Sequence, residues 1–276
     1  MSRRFYAGNN LRRLIFCVKP WLQWIESLAL VHYSFFMTKI AARIKQIKGA
    51  IDSACMRAGR DPGKVKLVVV TKSADIEAVK EVIQLGITDL GENRVQQLKK
   101  VSSEVDDFLH GPDGGSVASK EIKWHMLGHL QRNKVRQVLP IAVLIHSLDT
   151  LRLAEEINTA AAKLNSRPKV LMQVNCSNEP QKYGVPVGAA THLAEQIETL
   201  PNLQLVGLMT MAPLTHKKDV VRACFVRARE LFVEMCGERI VGSQFTELSM
   251  GMSSDYEIAV EEGATILRIG SGIFAG

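Results

Sequence analysis

The sequence has few cysteines, and none of them form a closely spaced pair. The five, Cys17, Cys55, Cys176, Cys224 and Cys236, are scattered along the chain, and no CxxC motif occurs. A disulfide framework requires an even set of cysteines, and a structural zinc site usually takes them in pairs. The sequence therefore argues against both and favours a reducing compartment, which we expect to be the cytoplasm.

Tracts in which basic residues alternate with aromatic ones are also missing. The formal net charge is +7, but residues 1–36 hold five basic side chains against one acidic side chain. Removing those six from the 35 basic and 28 acidic residues leaves 30 against 27. The remaining charges are interspersed, which is typical of a solvated surface. We therefore predict no nucleic-acid partner.

The first 36 residues contain no apolar run long enough to make a good membrane span. Lys19, Pro20 and Glu26 interrupt the apolar stretch 14–36, so we predict no stable span. An Arg-rich, acid-poor start also fits an organelle-targeting segment or an interfacial anchor. We favour a dispensable extension over residues 1–36 and a single domain over 37–276, because an amphipathic helix begins at Thr38. An organellar location is the alternative if the first segment is a targeting sequence.

No GxGxxG motif of dinucleotide-binding folds follows the first predicted strand. From Lys66 onward, short apolar runs alternate with amphipathic segments, which predicts parallel βαβ units. Eight such runs match a closed (β/α)8 TIM barrel better than a doubly wound open sheet. The predicted strands are 67–70, 87–90, 122–127, 143–146, 170–174, 203–208, 245–248 and 266–269, and the predicted helices between them are 75–85, 94–105, 131–139, 150–164, 187–200, 217–235 and 254–262.

Lys72 follows the first predicted strand, at the end where barrels carry their chemistry. Burial beside an apolar strand would lower the pKa of its amine and make it a nucleophile suited to Schiff-base formation. Taken alone, the residue fits better a lysine that extends to solvent from a strand end. The other strand ends decide between the two interpretations.

Serine- and glycine-rich loops follow the seventh and eighth predicted strands, where this fold commonly binds phosphate. One reads Ser249-Met250-Gly251-Met252-Ser253-Ser254, and the other reads Gly270-Ser271-Gly272 just after Arg268. Glycines let backbone N–H groups approach an anion, and serine hydroxyls add further donors. Together with Lys72, these loops predict a pocket for a phosphorylated aldehyde.

Longer motifs extend this pattern along the chain. They are Val70-Thr71-Lys72, Gly91-Glu92-Asn93-Arg94-Val95-Gln96, Trp124-His125-Met126-Leu127-Gly128-His129-Leu130-Gln131-Arg132-Asn133-Lys134, Gly207-Leu208-Met209, Leu248-Ser249-Met250-Gly251-Met252-Ser253-Ser254-Asp255 and Arg268-Ile269-Gly270-Ser271. They resemble the motifs of the pyridoxal phosphate homeostasis protein family, which is related to the N-terminal barrel of alanine racemase. The resemblance runs in order through residues 37–274 and does not include the first 36.

This resemblance implies a fold-type III barrel that binds pyridoxal 5′-phosphate (PLP), with Lys72 at the position that bears the cofactor. It implies that Arg268 faces the pyridine nitrogen. It also implies that the phosphate is held by two loops, which supply Ser249, Met250, Gly251, Gly270 and Ser271. Asn93 and His125 match family positions close to the ring.

The chain departs from the family pattern in two places. The family usually continues after its lysine with Thr-Lys-Pro, whereas this chain reads Ser73-Ala74-Asp75, so any role of a second lysine is absent. The sequence also ends earlier than the family usually does, at Ile273-Phe274-Ala275-Gly276, so we expect an incomplete last helix.

Two further polar features allow more than one interpretation. His125 and His129 have the spacing of a helical zinc pair, but they straddle a strand end and lack a third ligand, so we predict no metal site. Glu92 fits a structural carboxylate and an acid or base group equally well.

Two functions remain open: a PLP carrier in vitamin B6 homeostasis and a small PLP-dependent amino-acid racemase. An arginine at the pyridine nitrogen cannot accept a proton there, which leaves the ring a weak electron sink. A racemase also needs a second base, which alanine racemases take from a following domain, and only seven residues follow Ile269. We therefore expect a non-enzymatic, monomeric PLP-binding protein that supplies PLP-requiring apo-enzymes.

Overall fold

Eight short parallel strands form the centre of the fold in a computed structural model that describes residues 38–275. Each strand pairs with the next along the chain, and β1 also pairs with β8, so the sheet closes into a barrel. The predicted TIM barrel is confirmed, with all eight strands near their predicted positions. They are β1 (Lys66–Val70), β2 (Asp89–Glu92), β3 (Lys123–Met126), β4 (Ala142–Leu148), β5 (Lys169–Asn175), β6 (Gln204–Met209), β7 (Glu247–Ser249) and β8 (Ile266–Ile269).

Helices surround the barrel, and one of them precedes the first strand. The helix before β1 ends at Arg57, which forms ion pairs with Glu257 and Glu261 of the helix between β7 and β8. Among the described helices, none combines the length and the apolar character needed to cross a membrane. The helices are α1 (Lys39–Arg57), α2 (Ile76–Gln84), α3 (Val95–His110), α4 (Val135–Val138), α5 (Leu151–Lys163), α6 (Val187–Glu198), α7 (Lys218–Gly237), α8 (Tyr256–Glu261) and α9 (Ser271–Phe274).

Apolar side chains fill both sides of the sheet, as expected for parallel strands covered by helices. A large cluster lies between the strands and the helices, and a smaller cluster fills the barrel interior. Because side chains on a strand point to alternate faces of the sheet, about half of the strand residues point inward. The inner cluster consists of Val68, Leu144, Leu171, Val206, Met209 and Ile266.

The departure from the family motif after Lys72 has a structural explanation. Asp75 caps α2, and its Oδ1 accepts a hydrogen bond from the backbone N–H of Ala78 at 2.8 Å. An aspartate at this position satisfies a helix N–H that would otherwise lack a partner. The interpretations offered for residues 1–36 lie outside the described residues.

Candidate functional site

A cavity of about 510 Å³ opens at the carboxyl ends of the barrel strands. This volume lies within the range of pockets that bind cofactors and other small molecules. The wall combines apolar side chains with a few polar groups contributed by the strand ends and the loops. It is lined by Val70, Lys72, Asn93, Leu127, Gly128, His129, Gln173, Tyr183, Met209, Met211, Leu214, Met252, Ser253, Ser254, Arg268, Gly270 and Ser271.

Lys72 lies on this wall, two residues beyond the end of β1, and its side chain is exposed. The expected burial beside the apolar strand is therefore not observed. The residue before it, Thr71, is buried and donates from its hydroxyl to Glu92 Oε1 at 2.5 Å. Burial raises the pKa of Glu92, and the positive charge of Lys72 partly opposes this effect. Because Glu92 also accepts from the Asn93 N–H, the contacts favour a structural role for this carboxylate.

Arg268 is the cationic group of the site, and its side chain is buried. Nη1 donates to Ser249 Oγ at 2.6 Å, and Nη2 donates to the carbonyl oxygen of Thr210 at 2.9 Å. Burial lowers the pKa of Arg268 to about 10, so the guanidinium stays charged at neutral pH. The two bonds attach it to β7 and to the end of β6, and the cavity wall thereby carries a fixed positive charge.

Asn93, Gly270 and Ser271 also lie on the cavity wall, so five of the nine predicted site residues are brought together there. Gly270 is needed because the turn after β8 passes close to β1. A Cβ atom on Gly270 would lie 2.8 Å from the carbonyl oxygen of Val70. Only glycine allows this close approach without moving one of the two backbones.

The other four predicted residues are not on the wall. His125 pairs in register with Leu144, inside the barrel below the mouth, and lines a separate cavity at the opposite end. Ser249 is fully buried, and its hydroxyl oxygen accepts a hydrogen bond from Arg268. Met250 belongs to the main hydrophobic core, and Gly251 packs against Ala259. These two positions follow β7 but point away from the cavity.

Ser253 and Ser254 take the place of Ser249 on the wall. The hydroxyl oxygen of Ser253 accepts a hydrogen bond from the Gly272 N–H at 3.0 Å, so the loops after β7 and β8 are joined. Asp255 Oδ1 accepts from the Met252 N–H at 2.6 Å and holds the first loop in shape. The loop after β7 thus reaches the cavity with Met252, Ser253 and Ser254, which come later in the loop than Ser249.

His129 and Tyr183 also lie on the wall, although neither is among the predicted site residues. Their rings stack with centroids 4.3 Å apart and planes 14° apart, and His129 Nδ1 lies 3.5 Å from Asp149 Oδ2. Gln173 Nε2 donates to the carbonyl oxygen of Tyr183 at 3.1 Å and so fixes the loop after β5 at the mouth. His129 stood in a recognised motif, whereas nothing in the sequence around Tyr183 indicated its position.

Replacing Gly128 by alanine should disrupt this wall. A Cβ atom there would lie 2.1 Å from the backbone carbonyl oxygen of Asn93, and backbone cannot yield as a flexible side chain can. We expect Gly128→Ala to lower the free energy of unfolding by about 1–3 kcal/mol in urea titrations. Gly188→Ala is the control, because an added Cβ meets no atom within 4 Å. Equal stability of Gly128→Ala and wild type would contradict the close approach.

Two buried histidines should make the protein less stable in mild acid. His125 and His146 lie inside the barrel with Nδ1 of the first 3.0 Å from Nε2 of the second, and burial lowers the pKa of both. Below the ordinary pKa of about 6.5, the unfolded chain therefore binds more protons than the folded chain. We expect the free energy of unfolding to fall by up to about 1.4 kcal/mol per pH unit for each histidine as the pH drops below this value.

Urea titrations between pH 7.5 and pH 5 measure this loss. His146→Asn should reduce the slope below pH 6.5, whereas substitution of the exposed His192 should leave it unchanged. A slope in His146→Asn as steep as that of the wild type would contradict the assignment.

The chain is similar to several known proteins in sequence and fold. The family model of the alanine racemase N-terminal domain matches residues 46–276. A pyridoxal phosphate homeostasis protein of Aquifex aeolicus is 38% identical over 232 residues, which cover 84% of this chain and 96% of that protein. The crystal structure of an unknown protein from Bifidobacterium adolescentis has a TM-score of 0.79 and 34% identity, covering 86% of this chain and 94% of that one. The structure of PipY from Synechococcus elongatus, with PLP bound, has a TM-score of 0.68 and 32% identity, covering 82% of this chain and 99% of that one.

Proposed function

We propose that this chain, which belongs to the alanine racemase N-terminal domain family and within it to the pyridoxal phosphate homeostasis proteins, holds PLP as a Schiff base on Lys72. In this proposal the protein takes part in intracellular vitamin B6 homeostasis and has no efficient catalytic activity. The observation that carries it is the placement of a lysine amine and a buried guanidinium on the wall of one cavity, next to serine hydroxyls. The structure of PipY with PLP bound supports the choice of cofactor.

The residues of the cavity fit each part of PLP. Lys72 supplies the amine for the aldehyde, and its exposed side chain is reachable from the mouth. Ser253, Ser254 and Ser271 supply hydroxyl donors for the phosphate group. Gly270 also lines the cavity, where its backbone borders the space next to Ser271. When bound, PLP supplies an electrophilic aldehyde and a ring that can act as an electron sink.

Arg268 supports the non-catalytic part of the proposal. It would hold the pyridine nitrogen by donating a hydrogen bond, and it remains charged at neutral pH with a pKa of about 10. A group that is already protonated cannot act as the carboxylate that keeps this nitrogen protonated and strengthens the electron sink. We therefore expect the site to retain PLP and to stabilise carbanions poorly. The names of the curated relatives, which describe homeostasis and not an enzymatic reaction, agree with this expectation.

Titration of the purified protein with PLP tests the proposal. We expect one equivalent of PLP to bind and to produce a visible absorbance band that sodium borohydride removes. A protein that stays colourless in excess PLP would overturn the proposed function. A band that borohydride leaves unchanged would overturn the covalent link.

A racemase is the second candidate, and one observation favours it. His129 and Tyr183 line the same cavity as Lys72 and carry groups that can exchange protons. Such groups could exchange a proton with a substrate bound in this cavity. A coupled assay of alanine racemisation with the PLP-loaded protein distinguishes the candidates. We expect no racemisation above the rate given by free PLP. Robust racemisation that His129→Gln or Tyr183→Phe abolishes would instead establish the racemase.

The remaining parts of the proposal concern the surroundings of the protein. We expect a cytoplasmic monomer that passes PLP to apo-enzymes, and the open mouth is the route by which the cofactor would leave. Exposed side chains of Tyr183 and Leu214 flank this mouth. Gel filtration tests the monomer, and PLP-dependent reactivation of an apo-enzyme by the loaded protein tests delivery.

A further inference from the structure

A continuous row of hydrogen-bonded side chains crosses the barrel interior from Arg268 to the opposite mouth. Arg268 contacts Ser249 Oγ at 2.6 Å, and that oxygen lies 2.9 Å from His146 Nδ1. His146 Nε2 lies 3.0 Å from His125 Nδ1, and His125 Nε2 lies 3.1 Å from Asp89 Oδ1. Each member stands on a different strand of the barrel.

The residues of this row are buried, except for Asp89 at the end away from Arg268. Ser249 and His146 have no exposed surface, and His125 is 1% exposed. Asp89 stands at the first residue of β2, and its side chain is 18% exposed to the cavity at the amino-terminal mouth. The row therefore joins the wall of the PLP cavity to a carboxylate at the other end of the barrel.

With neutral histidine rings, only one assignment of donors and acceptors satisfies all four contacts. We call this assignment the order of hydrogen atoms along the row. The guanidinium of Arg268 can only donate, so Ser249 Oγ accepts, and the serine hydroxyl donates to His146 Nδ1. His146 then carries its hydrogen on Nε2 and donates to His125 Nδ1. His125 in turn carries its hydrogen on Nε2 and donates to Asp89, which as a carboxylate can only accept.

The opposite order leaves unfavourable contacts inside the barrel. If His146 carried its hydrogen on Nδ1, Ser249 would accept twice, and its own hydroxyl hydrogen would lose the acceptor that His146 provides. His125 would then have to donate from Nδ1, and a neutral ring would turn its Nε2 lone pair toward the Asp89 carboxylate. An imidazolium would avoid that contact, but it would place a charge where burial already lowers the pKa of both rings.

Other charged side chains of both signs lie near the row, on the neighbouring strands and loops. The order of hydrogen atoms follows from the donors and acceptors of the row itself. Lys66 of β1 and Glu247 of β7 lie near the two histidines. Asp255, in the loop after β7, lies near Arg268. The cavity at the amino-terminal mouth is also lined by Glu121, Lys123 and Lys169.

We propose that His146 is a positioning residue for Arg268, with His125 and Asp89 fixing the orientation of its ring from behind. The role in cofactor binding rests on the proposed function, because Arg268 is the group that would meet the pyridine nitrogen. The ring of His146 keeps the Ser249 hydroxyl oxygen turned toward the guanidinium. The guanidinium is thereby ready at the wall before any ligand enters, which reduces the cost of ordering it on binding.

Nuclear magnetic resonance of the wild-type protein without PLP tests the order directly. We expect the ring nitrogens of His125 and His146 to show neutral imidazoles with hydrogen on Nε2 at pH 7. We also expect slowed guanidinium rotation and separate Nη signals for Arg268. Hydrogen on Nδ1 of either ring, or an imidazolium at pH 7, would overturn the proposal. Because this measurement needs no PLP, it stands even if the proposed function fails.

Substitutions of His146 test the consequence for binding. His146→Phe removes both hydrogen bonds, and we expect PLP to bind about tenfold more weakly with a shifted visible band. His146→Asn keeps one acceptor and one donor and should bind within about threefold of the wild type. Wild-type affinity and an unshifted band in His146→Phe would overturn the positioning role. If His146→Phe fails to fold, the Nη signals of Arg268 in His146→Leu decide the question, and separate, slowly exchanging signals there would contradict the proposal.

Asp89 gives a test far from the PLP cavity. Asp89→Leu removes the last acceptor of the row, and we expect a loss of affinity of about threefold to tenfold. The matched control is Glu121→Gln, which removes a charge from the same mouth but no hydrogen bond of the row. Equal PLP affinity of the two variants would contradict a link between the two ends of the barrel.

Discussion

Alanine at position 72 will remove the visible absorbance that the wild-type protein acquires with PLP. Among the described residues of the cavity wall, Lys72 is the one lysine, so no other wall residue offers a primary amine. Because its side chain is exposed, we expect Lys72→Ala to change the free energy of unfolding by no more than about 0.5 kcal/mol. Absorption spectra with excess PLP, together with urea titrations, measure both effects.

Lys217→Ala is the matched control for this experiment. Lys217 is exposed and precedes α7, on the same side of the barrel as the cavity, but it does not line the cavity wall. The control variant should keep the full absorbance band. A band of normal intensity in Lys72→Ala would show that another amine carries the cofactor.

Replacing Arg268 by glutamine will weaken both the fold and the retention of PLP. The substitution removes a charged donor from Ser249 and from the Thr210 carbonyl oxygen, inside the barrel. Hydrogen bonds to charged groups contribute about 1.5–3 kcal/mol each, so we expect a loss of about 2–4 kcal/mol in the free energy of unfolding. We expect PLP affinity to fall by about 100-fold, measured by equilibrium dialysis. Arg268→Glu should also weaken the retention of PLP, because it removes the same two donated hydrogen bonds and leaves a carboxylate next to the Thr210 carbonyl oxygen.

The control for Arg268 is a surface arginine. Arg57 has a half-exposed side chain and forms ion pairs with Glu257 and Glu261 on α8. Exposed ion pairs usually contribute less than about 1 kcal/mol, so Arg57→Gln should unfold close to the wild type and bind PLP normally. If Arg268→Gln binds PLP as tightly as Arg57→Gln does, the assignment of Arg268 to the pyridine nitrogen is wrong.

The fold could be predicted from the sequence because its strands are buried on both faces. A parallel strand covered by helices is apolar at nearly every position, so runs such as the one before Lys72 stand out against the amphipathic helices. The sequence did not indicate the two-residue strand Val185–Pro186, which pairs with the end of β5. Two residues are too few to form a periodic pattern.

The site was predicted only in part, because the sequence does not show how deep in the barrel a side chain lies or which way it points. The strand ends and loops that carry polar residues were identified correctly, and this placed Lys72 and Arg268 on the cavity wall. Whether a residue reaches the wall depends on its register inside the barrel. His125 points inward but lies one inward position below the mouth, since it pairs with Leu144 and not with His146.

Loop residues were harder still to predict. Tyr183 reaches the cavity because Gln173 binds its carbonyl oxygen and Lys182 donates to the carbonyl oxygen of Ala212 at 2.8 Å. The second contact joins residues 30 positions apart, and a sequence pattern does not reveal such a contact before the fold is known. Ser249 illustrates the same limit, because its partner His146 is 103 positions away.

Identification of the lysine that carries PLP tests the central claim most directly. The wild-type protein is loaded with PLP, reduced with sodium borohydride and digested, and the labelled peptide is located by mass spectrometry. We predict one label per chain, on Lys72. A label on a different lysine, or a protein that borohydride leaves unlabelled, would contradict the account.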